Sequence, residues 1–293
     1  MAQISPDRVT ATVGEPGDPA VSVIIHFLNA ARYLPAAARS VQWQTYPDWE
    51  LILVDGGSTD QSVPIAREIQ SSLPGRVRVL EHQGPETLGI FSSRIWGARE
   101  ARAPILAHLD SDDEWHPQFL ERQLAAHEAN FKSRPGLTYC PMVYWWEEPE
   151  HAFDAHVQPI VAPGLHEAPS LVIPFIDNSY SRTPGNSAVV VSREIVLAAA
   201  ELIGTADEGI GDDQFLWSFV ALNYPICAQP EPLCRYRQWP GSTCAVGIAV
   251  GEHVDARSRH LTWLEKYLTS NYSGGDRDGL IHEVERLRTE RVW

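Results

Sequence analysis

The sequence predicts an α/β fold, a mostly parallel sheet with helices on both faces. Three observations carry that expectation: short β-branched apolar runs, helical apolar spacing between them, and their alternation at βαβ intervals over the first 110 residues. "AVSVIIHFLN" (20–29) has the unbroken apolar character of a strand covered on both faces. Leu34, Ala38 and Val41 then recur at i, i+4 and i+7, the spacing of one helix face. A second apolar strand, Leu51 to Val54, ends at Asp55 and the turn Gly56-Gly57, where Ser58 or Thr59 is placed to cap a helix reaching Ile69. "RVRVLEH" (76–82) reads as a third strand, 90–102 as a helix and "PILAHLD" (104–110) as a fourth strand.

The second half is less regular. "YCPMVYWW" (139–146) is aromatic and β-prone, and 147–169 is a Pro- and His-containing loop of a length that goes with function or mobility. "NSAVVVSREIV" returns to strand and then helix. From Asp213, the residues Phe215, Leu216, Phe219 and Val220 mark a helix, and Leu280, Val284 and Leu287 mark a last, charge-rich amphipathic one. The expected organisation is a flexible arm (1–20), an α/β domain (21–244) and a helical extension (245–293).

Bulk properties exclude some functions. A net charge of −15 with no Lys/Arg block argues against binding a nucleic-acid backbone. Four cysteines without a CxxC pair read as reduced thiols. No apolar run reaches the ~18 residues of a membrane span. The expectation is a cytoplasmic protein whose only membrane contact is peripheral, at the inner face.

In sheets of this kind ligands sit beyond the carboxyl ends of the strands. Asn29, Asp55 and Asp110 all fall there, after the first, second and fourth strands. "AHLDSDDEW" (107–115) then sets Asp110, Asp112, Asp113 and Glu114 within five positions, a run that repels itself unless something positive sits among it. An EF-hand-like loop counted from Asp110 meets Trp115 where the turn needs Gly, and Pro117 at position eight, so it cannot close. A haloacid-dehalogenase-type phosphatase also presents Asp-x-Asp after an apolar strand, but here the motif arrives on the fourth strand and carries Glu114 two residues beyond Asp112. The remaining reading is a divalent cation, Mn²⁺ or Mg²⁺, bridging a carboxylate to a diphosphate, for which one or two hard oxygen ligands suffice. On this reading Asp112 is the ligand, while Asp113 and Glu114 favour the start of a helix that has Pro117 in its first turn.

Three ordered motifs resemble glycosyltransferase family 2. "VSVIIHFLNAARYLPAAARSVQWQTYPDWELILVDGGSTD" resembles the family's "VSVIIPTYNxxxYLxxxxxSVxxQTYxxxEhhhVDDGSTD". "SSRIWGAREARAPILAHLDSDDEWHPQFL" resembles "ARNxGhxxAxGxYIxFLDSDDxxxPxxL", and "GDDQFLWSFVALNYPICAQPEPLCRYRQWPGST" resembles "EDxDLxLRhxxxGYxhxxxPxPLxxYRxHxxS". The resemblance covers about 21–244 and implies a GT-A fold, with a nucleotide-binding half (about 21–115) and an acceptor half (about 116–244). It implies inverting transfer of a sugar from a nucleotide-diphosphate donor (UDP, dTDP or GDP type) to a hydroxyl of a glycan, lipid-linked or small-molecule acceptor.

Carried over by position, the resemblance makes Asp112 the metal ligand and brings Asp110 or Ser111 to the donor ribose. His26, Phe27, Leu28 and Asp55 line the base pocket, Arg94 lies near the donor, and Asp213 is the general base. At the start of a helix the dipole favours an ionised Asp213. Asp212, Trp145, Trp146 and Trp239 are candidates for the acceptor side, with Tyr144 to Trp146 equally readable as strand core.

Three positions depart from the family pattern. Gly56 replaces an Asp able to pair with a uracil N–H, Leu28 replaces an aromatic residue, and Trp239 replaces a histidine. The alternative function is therefore a family member that binds nucleotide-sugar without turning it over.

Overall fold

The computed structural model describes residues 17–132, 134–146, 156–157, 161–177, 182–203 and 211–289. Most of the 1–20 arm and of the 147–160 stretch lies outside the described residues.

The first half alternates as its sequence predicts: β1 (Val21–Phe27), α1 (Leu34–Gln42), β2 (Trp49–Asp55), α2 (Ser62–Ser72), β3 (Val77–Glu81), α3 (Ile90–Glu100) and β4 (Ile105–His108). Then come β5 (Glu114–Trp115), α4 (Phe119–Phe131), β6 (Leu137–Tyr139), β7 (Met142–Trp146), β8 (His156–Val157) and β9 (Gly164–His166). The chain continues through α5 (Val172–Ile176), a 3-10 turn at Asn186–Ala188, β10 (Val189–Ser192), α6 (Arg193–Ile203), α7 (Asp212–Asn223), β11 (Ile226–Ala228) and β12 (Cys234–Gln238). It closes with α8 (Thr243–Ala249), α9 (Glu252–Ser270) and α10 (Arg277–Thr289).

The main sheet runs β3-β2-β1-β4-β10-β6-β11-β9. β1 to β4 are parallel neighbours, β10 enters antiparallel between β4 and β6, and β11 is parallel to β6. Alternation in β1 explains its continuous apolar run: Val21, Val23, Ile25 and Phe27 face one core with α1, while Ile24 faces the other with α3 and α7. The second core also takes Leu261, Leu264, Leu268, Leu280, Val284 and Leu287, so α9 and α10 pack as part of the same body as the sheet. No helix among the described residues is long and apolar enough to cross a membrane.

A smaller sheet, β5-β12-β7-β8, stands beside the first. It overturns the expectation of a helix start after the acidic run: Glu114 and Trp115 pair with Arg235 and Cys234 of β12, and α4 begins only at Phe119. The predicted cap of α2 is also absent. Ser58 and Thr59 are engaged elsewhere, and Gln61 precedes the helix without a side-chain cap.

Candidate active site

The rim is built where β1 and β2 end. Asn29 takes a positive φ of 51°, a conformation Asn tolerates through its short polar side chain. There its backbone N–H donates to Ser58 Oγ at 2.9 Å and its Oδ1 accepts from the Thr59 N–H at 2.8 Å. Asp55 closes the same turn: its Oδ1 accepts from the Ser58 N–H at 2.9 Å, and the residue is 3 % exposed. Asp55 is thus a buried turn residue rather than an open base-pocket wall. Phe27, also placed in that pocket by its sequence position, is 1 % exposed and sits in the core against α1, because alternation turns it away from the face that His26 uses. Leu28 is 43 % exposed at the rim and remains available to a base.

Gly56 has a local cause. Its N–H donates to Phe27 O at 2.8 Å and its carbonyl accepts from the Leu88 N–H at 2.9 Å. A Cβ at this position would stand 3.1 Å from the Leu88 carbonyl oxygen. The β3–α3 segment therefore crowds this position, and an Asp there would need Leu88 to give by a few tenths of an ångström.

Behind the rim lies a buried charged layer. Arg94 of α3, 6 % exposed, donates to Asp110 Oδ1 at 2.8 Å and stands 3.6 Å from Asp212 Oδ1. It joins the end of β4 to the start of α7. Burial would raise Asp110, but Arg94 holds it below the usual carboxylate range. His26 Nδ1 lies 3.6 Å from the same oxygen, and burial together with Arg94 lowers this histidine to about 4. The ring is neutral, so the contact is polar rather than an ion pair.

The acidic run is resolved by Arg237. This β12 residue, 3 % exposed, donates its backbone N–H to Asp113 Oδ1 at 2.9 Å, its Nε–H to the Asp112 carbonyl at 2.7 Å and an Nη2–H to Glu114 Oε1 at 2.8 Å. Asp113 is fully buried and also accepts from Ser187 Oγ at 2.5 Å, with burial pushing it well above the ordinary range. Asp113 and Glu114 thus hold the loop in place, while Ser111 lies in the turn between them and Asp110, half-buried. Asp112 keeps one side-chain partner, the Trp239 indole N–H, at 2.8 Å from Oδ2.

Asp110, Asp113, Asn186, Tyr144, Tyr236 and Asp213 share one cavity of about 190 Å³. Asp213 stands in the first turn of α7, with Asn186 Nδ2 3.3 Å from Oδ2 and Gln214 Nε2 3.2 Å from Oδ1. Burial raises Asp213 despite the charge of Arg94, so desolvation outweighs the helix dipole that was expected to keep it ionised. Burial also pushes the adjacent Asp212 up to about 7, against the pull of Arg94. A larger cavity of about 370 Å³ lies outside α3 among Phe91, Trp96, Arg99 and Ala200, and it contains none of these carboxylates.

Of the aromatic candidates, Tyr144 faces the cleft, edge to face with Tyr236 at 5.1 Å. Trp145 points the other way, stacked between Arg235 at 4.1 Å and Arg237 at 4.2 Å, and so is not an acceptor platform. Trp146 shares Tyr144's side of β7 by alternation, and Trp239 belongs to the acidic loop. Asp212, 6 % exposed, sits behind Asp213 against Arg94 and is also outside the acceptor space. Arg237, Asn186, Ser187, Gln214 and Tyr236 were not anticipated. Arg237 and Tyr236 lie within "YRQWPGS", the stretch that also carries Trp239.

Among the described residues no cluster of three or more His, Cys, Asp or Glu could hold a metal ion. Asp112 Oδ1 nevertheless fits a hard cation that takes its other ligands from phosphate and water.

Known proteins resemble this chain in sequence and in fold. The model of "Glycosyl transferase family 2" matches residues 22–158. An uncharacterized glycosyltransferase of Haemophilus influenzae is 25 % identical over 78 % of this chain and 68 % of its own length. A teichuronic acid biosynthesis glycosyltransferase of Bacillus subtilis named as putative, TuaG, is 36 % identical over 36 % of this chain and 41 % of its own length. The chain spans only 31 % of a further relative, from Nostoc. Among solved structures, S. aureus TarS in complex with UDP-GlcNAc superposes over 91 % of this chain and 72 % of its own (TM-score 0.66, 15 % identity). The mannosyltransferase PcManGT of Pyrobaculum calidifontis, with GDP-Man and Mn²⁺, covers 95 % of this chain and 72 % of its own (TM-score 0.60, 17 % identity). These neighbours share the chain's GT-A-like fold, and residues 22–158, just under half of the chain, are similar to glycosyltransferase family 2.

Proposed function

We propose that this protein is an inverting glycosyltransferase that moves a sugar from a nucleotide-diphosphate donor to an acceptor hydroxyl. The observation that carries the reading is the placement of Asp213 in the same cleft as Asp110, at the end of the cation loop. Inversion is one in-line displacement. The acceptor oxygen bonds to the anomeric carbon as the bond to the β-phosphate oxygen breaks, and the acceptor proton passes to Asp213. Asn186 and Gln214 aim that carboxylate, and Asp110, kept ionised by Arg94, is available to a ribose hydroxyl.

Asp112 would hold a Mn²⁺ or Mg²⁺ ion, which when bound would supply charge neutralisation to the diphosphate leaving group. The side chains of Tyr144 and Tyr236 offer the acceptor an aromatic wall. The relatives' names favour a surface-polysaccharide acceptor, and the neighbours' ligands are diphosphate donors of two different bases. Asp213→Asn tests the reading because it keeps shape and removes basicity. Transfer should slow by ~10²–10⁴-fold with donor affinity unchanged. Normal turnover in Asp213→Asn would refute the assignment, and a wild-type protein that binds donor without turnover would favour the binding-only alternative.

A further inference from the structure

Trp239 stands on the carboxylate assigned to the cation. Its indole N–H meets Asp112 Oδ2 at 2.8 Å, and its ring packs on Tyr33 with centroids 5.2 Å apart. The ring leaves no space beside it: a Cβ at Gly241 would overlap it at 2.1 Å. Two residues earlier on the chain, Arg237 holds the Asp112 carbonyl at 2.7 Å. Backbone and side chain of Asp112 are thus both gripped from the end of β12. An indole N–H only donates, so the Trp239 nitrogen cannot ligate a cation, and with one side of Oδ2 taken up by it the oxygen more open to a metal is Oδ1.

We propose that Trp239 is the positioning residue of the cation site: by engaging Oδ2 it fixes the Asp112 carboxylate in one orientation and commits it to a single, one-oxygen bond to the ion. The proposal rests on the reading of Asp112 as the cation ligand. One carboxylate oxygen is a poor site for Mg²⁺ or Mn²⁺ alone, because these ions complete their shells with phosphate oxygens and water. The ion should therefore enter together with the nucleotide. A tryptophan that merely filled space against Tyr33 would be replaceable by another aromatic ring without effect on the ion. One that orients a ligand would not, since hydrogen-bond partners of metal ligands are typically worth 10–100-fold in metal affinity.

The test titrates Mn²⁺ into the full chain by electron paramagnetic resonance, without nucleotide and with saturating UDP or GDP. Trp239→Phe keeps a ring against Tyr33 and removes the donor, while Trp239→His restores an N–H. Wild type should show saturable Mn²⁺ binding only with a nucleotide. Trp239→Phe should weaken that binding by ~10–100-fold with a near-native melting temperature, and Trp239→His should recover at least tenfold of the loss. Saturable binding to wild type without nucleotide, or Trp239→Phe affinity within threefold of wild type, overturns the proposal. Asp112→Asn separates the two layers. If it binds Mn²⁺ as wild type does, or if wild type binds none with either nucleotide, the cation reading itself fails. If Asp112→Asn loses Mn²⁺ while Trp239→Phe keeps it, only the role of Trp239 fails.

Discussion

Removing the Arg237 side chain should destabilise the fold by about 3 kcal/mol. Arg237→Ala deletes the Nε–H bond to the Asp112 carbonyl (2.7 Å) and the Nη2–H bond to Glu114 (2.8 Å). It also deletes guanidinium contacts with the Tyr33 and Trp145 rings at 4.6 and 4.2 Å. Hydrogen bonds to a charged group are each worth ~1.5–3 kcal/mol and a desolvated cation–π contact ~1–2. Breaking a buried charge pair from one side costs ~3–5 kcal/mol. The low end applies because the Glu114 side chain is 28 % exposed and regains water, and because the backbone N–H of residue 237 stays on Asp113. At ~2–4 °C per kcal/mol for a domain of this class, the melting temperature should drop by about 6–12 °C. Arg237→Lys keeps the charge but cannot reach both oxygens in one plane, so it should recover about half of the loss. Thermal unfolding followed by circular dichroism reads the effect. A drop below 2 °C in Arg237→Ala would show that the acidic run is neutralised by other means.

Gly56 offers no side chain to a base and Asp55 is committed to its own turn, so UDP, dTDP and GDP should compete for the site within about tenfold, ~1.4 kcal/mol, in displacement assays. A hundredfold preference for one of them would reveal a reading group elsewhere. The acid limb of the transfer rate should lie above the ordinary carboxylate range, because burial raises Asp213 despite the charge of Arg94. Asp212→Asn puts a neutral amide where a protonated, neutral Asp212 already stands and should leave that limb in place; a limb that moves would show that Asp212 carries charge there. Stability carries the opposite sign. The native state keeps a proton on Asp212 up to about 7 that the unfolded chain releases near 3.8, so stability falls as pH rises through that window. Asp212→Asn should flatten the slope, measured as denaturant midpoints from pH 4 to 7.

The elements that were legible share a physical cause. β1 and β2 are covered on both faces, so their burial is written as unbroken apolar runs, and α10 shows its buried stripe at Leu280, Val284 and Leu287. The small sheet left no such trace. β5 is two residues long, and it is a strand only because residues more than a hundred positions later lie alongside it. The site divides the same way. Asp110, Asp112 and Asp213 are polar residues at element ends, where chemistry is expected, and the cleft brings Asp110 and Asp213 together. What each acid does was not legible, because the partners that sort them arrive from other elements: Arg94 for Asp110, Trp239 for Asp112, and Ser187 with Arg237 for Asp113. Alternation puts Trp145 and Trp146 on opposite sides of β7, but only the two arginines of β12 decide which side Trp145 takes.

The separation of 124 residues between Asp113 and its partner Arg237 has a consequence for the order in which the molecule matures. Synthesis is vectorial and N-terminal segments form first, so β1 to β4 are able to pair while the second half is still inside the ribosome. The four acids after β4 emerge with that early sheet but without their counter-charge. Contacts this distant in the chain form late, after the loop-closure entropy of everything between has been spent. Until β12 docks, the acidic loop after β4 lacks the Arg237 contacts that hold it. A nascent chain that already has β1 to β4 therefore still lacks the partners of this loop, and the loop takes its shape in one later step, when β12 docks.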